Sequence, residues 1–241
     1  MRYGVRMFLL ALLFAARAGC QTAAIPAPSL IVLITVDQMR GDYMDRFASQ
    51  LHGGLARLAR GAWFTNAHHD HAITETAPGH ATLLSGRFPR STGIAANWAG
   101  VEDESAPLIG ESGTMGASPR RFHGTTLVDW LRARDPQARA LSVSMKDRGA
   151  ILPIGRSRSE VYWYASDGRF TTSRYYRDTL PDWVSRFNAR RLPQNLAGKS
   201  WTLLLPSDSY AEPDSVAVEM GGRNFLFPHQ IPADTAQATD W

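Results

Sequence analysis

Along this chain the hydrophobic positions fall into two kinds of pattern, unbroken runs and helical spacing. Leu30 to Val36 reads LIVLITV, aliphatic or β-branched throughout apart from Thr35. A run without polar alternation predicts a strand buried on both faces of a parallel sheet. Tyr43 to Arg60 follows with Met44, Phe47, Leu51, Leu55 and Leu58 at helical intervals, interrupted by Gly53-Gly54. Strand then helix opens an α/β sheet, and the alternation continues. An extended stretch is expected over Ala62–Ala67 and a helix over Pro78–Leu84, stopped at Gly86. Thr126 with Asp129 three residues later forms a capping-box pattern; the helix it opens ends near Asp135-Pro136. A strand is predicted over Ala138–Met145, and a hairpin where Val161–Ala165 and Arg169–Ser173 flank Ser166-Asp167-Gly168. Pro181–Arg191 reads as a further helix with Trp183, Val184 and Phe187 on one face, and Trp201–Leu205 as a last strand. There is no internal repeat and no heptad pattern.

Composition agrees with a globular α/β protein: 44% of the 241 residues are hydrophobic and 20% charged. The formal charge of +4 loses its meaning once residues 1–18 are set apart, because they hold Arg2, Arg6 and Arg17 and no acid. The remaining 23 basic and 22 acidic side chains give +1, which does not support a nucleic-acid-binding surface. Residues 1–18 read as a secretory signal: two arginines, the apolar run Met7 to Ala16, then Ala16-Arg17-Ala18. The apolar run is too short to span a bilayer. Cleavage after Ala18 is one reading; a boundary at residue 19 with a lipid-modified Cys20 tethering the protein to a membrane is the other. Residues 19–28 then form a linker. Cys20 is the only cysteine, so the mature core offers no disulfide, cysteine-based zinc site or thiol nucleophile.

In an open parallel sheet, reactive groups gather where strands end at their carboxyl edge. The first predicted strand delivers Asp37 to that edge, where it can equally be a loop aspartate capping the next helix. Thr76, in Thr74-Glu75-Thr76-Ala77-Pro78-Gly79-His80, precedes a helix whose backbone N–H groups and dipole favour negative charge. Its ordinary reading is an N-cap. Lys146-Asp147-Arg148 follows the Ala138–Met145 strand on the same predicted edge; the ordinary reading there is a surface basic pair. Only two of the 26 basic residues are lysine, Lys146 among them.

Together these segments are more specific than any one of them. Val36-Asp37-Gln38-Met39-Arg40 with Asp42-Tyr43, Thr76-Ala77-Pro78-Gly79-His80, Ser85-Gly86, Pro89, Gly93-Ile94 and Asn97, and Ser144-Met145-Lys146-Asp147-Arg148 with Ile151-Leu152-Pro153 resemble the secreted, phosphate-irrepressible alkaline phosphatases of the alkaline phosphatase superfamily. The similarity continues through Tyr162-Trp163-Tyr164, Tyr175-Tyr176 and Phe187-Asn188 to Phe227-Pro228-His229, covering nearly the whole mature chain.

The resemblance implies an α/β three-layer sandwich, a mostly parallel sheet with helices on both faces, incomplete in this chain. Residues 29–241 would be the N-terminal portion of the catalytic domain, since family members run to about twice this length. It implies an enzyme that hydrolyses small phosphate monoesters through a phosphothreonine at Thr76, with two zinc ions as cofactors. Asp37 and Thr76 would be metal ligands, the remaining ones coming from a C-terminal half. Asn97, Lys146 and Arg148 would bind the phosphoryl oxygens. The protein would work as a monomer, secreted or periplasmic, without nucleic acid. The chemistry makes independent sense: a threonine hydroxyl is a poor nucleophile until a metal or base takes its proton. Two cations aimed at one phosphoryl group also suit a monoester dianion better than a diester, whose second organic group wants an apolar pocket. A phosphodiesterase or nucleotide pyrophosphatase of the same superfamily is the alternative, as is an inactive, secreted phosphate-binding remnant.

His68-His69-Asp70-His71 has the composition of a metal cluster without a ligating spacing, and reads as a polar loop. Glu75 and His80 flank Thr76 as supporting groups or as helix-start residues, the latter preferred for His80. The aromatic residues between Tyr162 and Tyr176 suit packing better than base stacking.

Overall fold

The computed structural model describes residues 28–111, 113–216 and 226–236, in two compact units, one running to Trp63 and the other from Phe64. The leader expected over residues 1–18, Cys20 and nearly all of the linker lie outside the described residues.

In the first unit the run Leu30–Val36 is not a strand. It is extended chain with its apolar side chains in solvent, Leu30 76% and Ile34 71% exposed. A strand buried on both faces needs a neighbour along each edge and cover above and below. The described residues of this unit supply no pairing strand. The run ends in a turn at Asp37-Gln38, where the Met39 N–H donates to the Val36 carbonyl and Gln38 takes φ 64°. Two short helices follow, α1 (Tyr43–Arg46) and α2 (Gly53–Leu58), so the Tyr43–Arg60 pattern is helical in pieces. They part at Leu51-His52, and the Gly53-Gly54 pair begins α2.

The second unit holds the core. Its helices are α3 (Thr76–Ser85), α4 (Pro89–Thr92), α5 (Leu127–Arg134), α6 (Asp147–Ile151) and α7 (Asp182–Asn188). Its strands are β1 (Leu141–Ser144), β2 (Glu160–Tyr164), β3 (Phe170–Thr171), β4 (Ser200–Trp201) and β5 (His229–Gln230). Helix α3 begins two residues before the predicted start and stops where expected, with Gly86 at φ 62° in the left-handed conformation that closes a helix without a Cβ clash. Helix α5 carries the full capping box: the Thr126 N–H donates to Asp129, and the Thr126 hydroxyl takes part as well.

The three-stranded sheet has the order β1-β2-β3. β1 and β2 are parallel, with Leu141 opposite Glu160 and Ser144 opposite Trp163, and are joined through α6. β2 and β3 form the predicted antiparallel hairpin, and β4 pairs with β5 in a separate antiparallel ribbon. Among the described residues this sheet thus holds one parallel and one antiparallel pairing. Helix α6 packs on β1, β2 and α3, and the buried cluster includes Ala77 and Ala81 of α3, Ala150 and Ile151 of α6, Val161 and Trp163 of β2, and Ile94, Val101 and Phe122 from the intervening loops. Tyr162 and Trp163 are buried, so the aromatic cluster serves packing. The outer edge of β3 is closed by a side chain: Asn188 accepts from the Phe170 N–H at 2.8 Å and donates to the Phe170 carbonyl at 2.8 Å.

Candidate active site

Three of the five predicted site residues meet within the second unit, at the start of α3. Thr76 is the first residue of that helix, not its N-cap; Glu75 takes that place. The helix opens here because Pro78 fits a first turn that needs no N–H from it. The backbone donor that an N-cap side chain would ordinarily satisfy, the Ala77 N–H, is instead bonded by the side-chain oxygen of Asn97 at 2.9 Å. Asn97 lies in a single helical turn, Asn97–Ala99, brought against α3 by the loop that follows α4.

Lys146 arrives from the other side. β1 ends at Ser144, whose hydroxyl accepts from the Lys146 N–H at 3.2 Å, and Lys146 then caps α6. Its ammonium Nζ stands 3.4 Å from the Thr76 hydroxyl oxygen. The prediction that Lys146 and Arg148 follow a strand at its carboxyl edge therefore holds, with Arg148 in the first turn of α6. The Arg148 backbone N–H donates to Asp147 at 2.6 Å, and one guanidinium N–H reaches the same oxygen at 3.3 Å. Its Nε is buried without a hydrogen-bond partner. A buried, unanswered guanidinium donor is the kind of group an anion would satisfy.

The close seating of α6 against β1 depends on Gly149. A Cβ there would lie 2.5 Å from the Ser144 hydroxyl oxygen and 3.7 Å from His80 Nε2. His80 is buried, and its Nδ1 donates to the Thr76 carbonyl at 2.9 Å. It is therefore more than a helix-start residue: it braces the backbone of Thr76 while facing α6. Glu75 is engaged too, its carboxylate accepting from the Asn97 N–H at 2.6 Å. The sequence offers both as groups supporting Thr76, but only the structure gives their partners: for Glu75 a backbone N–H 22 residues away, for His80 the carbonyl one helical turn back.

Asp37 belongs to the first unit, in the exposed turn after Leu30–Val36. The His68–His71 stretch is a loop exposed over His68–Asp70 and half-buried at His71, with the His69 and His71 rings 5.1 Å apart. Among the described residues no three His, Cys, Asp or Glu side chains converge in a way that could hold a metal ion. The second unit supplies a hydroxyl and a cationic cradle, and a metal centre would need further donors. A hydroxyl beside an ammonium, with a buried and unanswered guanidinium N–H nearby in sequence, is chemistry that suits an anion.

A family model described as type I phosphodiesterase/nucleotide pyrophosphatase matches residues 31–218. The chain is 37% identical over 218 residues to the alkaline phosphatase PafA of Elizabethkingia meningoseptica, a match covering 84% of this chain and 40% of that protein. It is 37% identical over 222 residues to the alkaline phosphatase PhoV of Synechococcus elongatus, with the same coverage. The crystal structure of wild-type PafA superimposes with a TM-score of 0.80 at 34% identity, over 90% of this chain and 45% of that one. A mutant of PafA with one threonine, one asparagine, one lysine and one arginine replaced gives 0.79 at 31% identity, over 89% and 46%. The chain thus spans about 40% of the length of these relatives, and it shares the α/β fold of an alkaline phosphatase over that span.

Proposed function

Because the chain belongs to the type I phosphodiesterase/nucleotide pyrophosphatase family, within the alkaline phosphatase superfamily, we propose that it carries the nucleophile and the phosphate cradle of a secreted phosphomonoesterase. The observation that carries this reading is the 3.4 Å approach of the Lys146 ammonium to the Thr76 hydroxyl at the start of α3. A cation at that distance favours the ionised form of the hydroxyl and later faces the charge of the phosphoryl group.

In the proposed reaction the Thr76 oxygen attacks phosphorus, a bond forms between them, and the bond to the ester oxygen breaks, releasing an alcohol. Water then displaces Thr76, restoring its hydroxyl and freeing inorganic phosphate. Asn97, Lys146 and Arg148 hold the nonbridging oxygens, where charge must be stabilised during transfer. Two zinc ions, when bound, would stabilise the negative charge left on the Thr76 oxygen as its proton is lost and the charge that develops on the leaving oxygen. Asp37 and Thr76 would be ligands from this chain; the others would come from sequence matching the part of the relatives that this chain does not span.

The substitution pattern of the PafA mutant supports the assignment. Its replaced threonine and asparagine are 21 positions apart and its lysine and arginine two apart, the spacings of Thr76 to Asn97 and Lys146 to Arg148. The family model's description favours a diesterase instead, but two cations directed at one phosphoryl group suit a dianion. The leader-like composition of residues 1–18 supports a reaction outside the cytoplasm. In the complete zinc-loaded protein, Thr76→Ala should lower turnover of an aryl phosphate monoester by on the order of 10⁴-fold or more while the circular dichroism spectrum is kept. Acid quenching should trap phosphothreonine in the wild type and none in the variant. Unchanged turnover in the variant removes Thr76 from this role.

A further inference from the structure

We propose that Glu75 is a positioning residue that aims the Asn97 amide at the phosphoryl group, an inference that rests on Asn97 being a phosphate ligand. The observation is a closed circuit of two bonds between segments far apart in sequence. The Asn97 N–H donates to the Glu75 carboxylate at 2.6 Å, and the Ala77 N–H donates to the Asn97 side-chain oxygen at 2.9 Å. The arrangement has the logic of a capping box, in which a side chain at each end satisfies the other's backbone N–H, but its two halves come from different loops.

The circuit fixes the polarity of the amide. An asparagine side chain offers an oxygen acceptor and a nitrogen with two donors. With the oxygen committed to Ala77, a flip would set N–H against N–H, so the nitrogen is held on the remaining side with both donors outside the circuit. A group presenting only donors suits an anion and opposes a cation. The circuit also explains why a carboxylate stands next to Thr76, where its charge would otherwise repel a phosphate. Glu75 turns that charge onto the Asn97 backbone, in a short charge-assisted bond. Removing the carboxylate would leave the Asn97 N–H unanswered, with the residue held by its side-chain oxygen and by the Gly100 N–H that donates to its carbonyl at 3.2 Å, and the amide freer to shift.

The test is a double-mutant cycle in the complete zinc-loaded protein, read as kcat/KM for an aryl phosphate monoester and, separately, as affinity for inorganic phosphate by titration calorimetry. Glu75→Ala should reduce both by about 10- to 100-fold, the range found when a group that orients a ligand-binding side chain is lost. Glu75→Gln, which keeps an acceptor oxygen, should restore most of the loss. In an Asn97→Ala background, Glu75→Ala should change neither quantity by more than about twofold, because the group it orients is gone. Independent, additive losses, or no loss in the single variant, overturn the proposal and leave the phosphatase reading standing. If the wild type cleaves no monoester, that reading falls, and the phosphate affinities alone decide the role of Glu75.

Discussion

Leu30–Val36 and α3 carry the two residues read as metal ligands at their borders, Asp37 and Thr76, and they are built in opposite ways. The first leaves its apolar side chains in water, with Leu30, Val32 and Ile34 each more than two-thirds exposed. The second buries Ala77, Pro78 and Ala81 outright and presses against α6. The difference lies in what each element finds to pair with. A helix satisfies its own backbone and needs only one apolar face covered, and α6 with the loop around Ile94 and Val101 covers it. A strand satisfies nothing alone. Six apolar residues and Thr35, with no pairing strand among the described residues, remain an exposed patch of a kind that ordinarily marks a surface meant to be covered. The residues of the proposed phosphate cradle are accordingly held by contacts within the second unit, whereas Asp37 sits in an exposed turn of the first.

The contrast can be broken in four ways, the largest effect first. Replacing Lys146 and Arg148 together by Ala should lower kcat/KM for a phosphate monoester in the complete protein by on the order of 10⁴-fold, about 10²- to 10³-fold per donor lost, with a diester falling at most about tenfold. Equal losses for the two substrates would mean that the second unit holds no dianion cradle. In the 241-residue chain, Ile151→Ala should reduce stability to urea by about 3 kcal/mol, because a fully buried side chain leaves a cavity in the cluster beneath α3.

A smaller effect is expected from Asp103. Burial raises its pKa, but hydrogen bonds from Ser105 and Ser118 and the charge of Arg120 outweigh burial and hold it below the usual carboxylate value. A carboxylate with a depressed native pKa stabilises the fold above its unfolded pKa of about 3.9 and loses that contribution as pH falls through the native value. Acid unfolding curves should therefore differ between the wild type and Asp103→Asn below about pH 4, with the variant showing the shallower dependence; parallel curves would refute it. Last, Ile34→Ser should change stability by less than about 0.5 kcal/mol, the range for exposed sites. A loss near that of Ile151→Ala would show the run to be packed in solution and erase the contrast.

What was readable in the sequence was local. Gly86 ends α3 and Thr126 with Asp129 opens α5 because the groups concerned are within four residues of one another, so spacing alone states the bond. Lys146 and Arg148 were placed correctly because the β1 strand before them and the helix after them each had a local signature. The Leu30–Val36 run reads as a strand and is not one in the structure for the complementary reason. Its composition records what the segment is suited to, and pairing depends on residues elsewhere. For Glu75 the sequence leaves open a supporting role or a helix-start role and gives no partner, since that partner is the backbone of Asn97, and a backbone N–H leaves no mark in the sequence. The exchange of Thr76 for Glu75 at the N-cap has the same origin, as the Ala77 N–H is satisfied by a side chain from another loop.

The Asn188 amide that closes the outer side of β3 gives the sheet a direction of growth. Both hydrogen-bonding groups of Phe170 are occupied there, and the neighbouring Thr172 carbonyl accepts from Ile109. At the opposite border, Leu141 and Val143 of β1 stand in solvent. A strand added to this sheet would therefore join beside β1, so whatever widens the sheet comes to lie along the strand that delivers Lys146 to the proposed phosphate site.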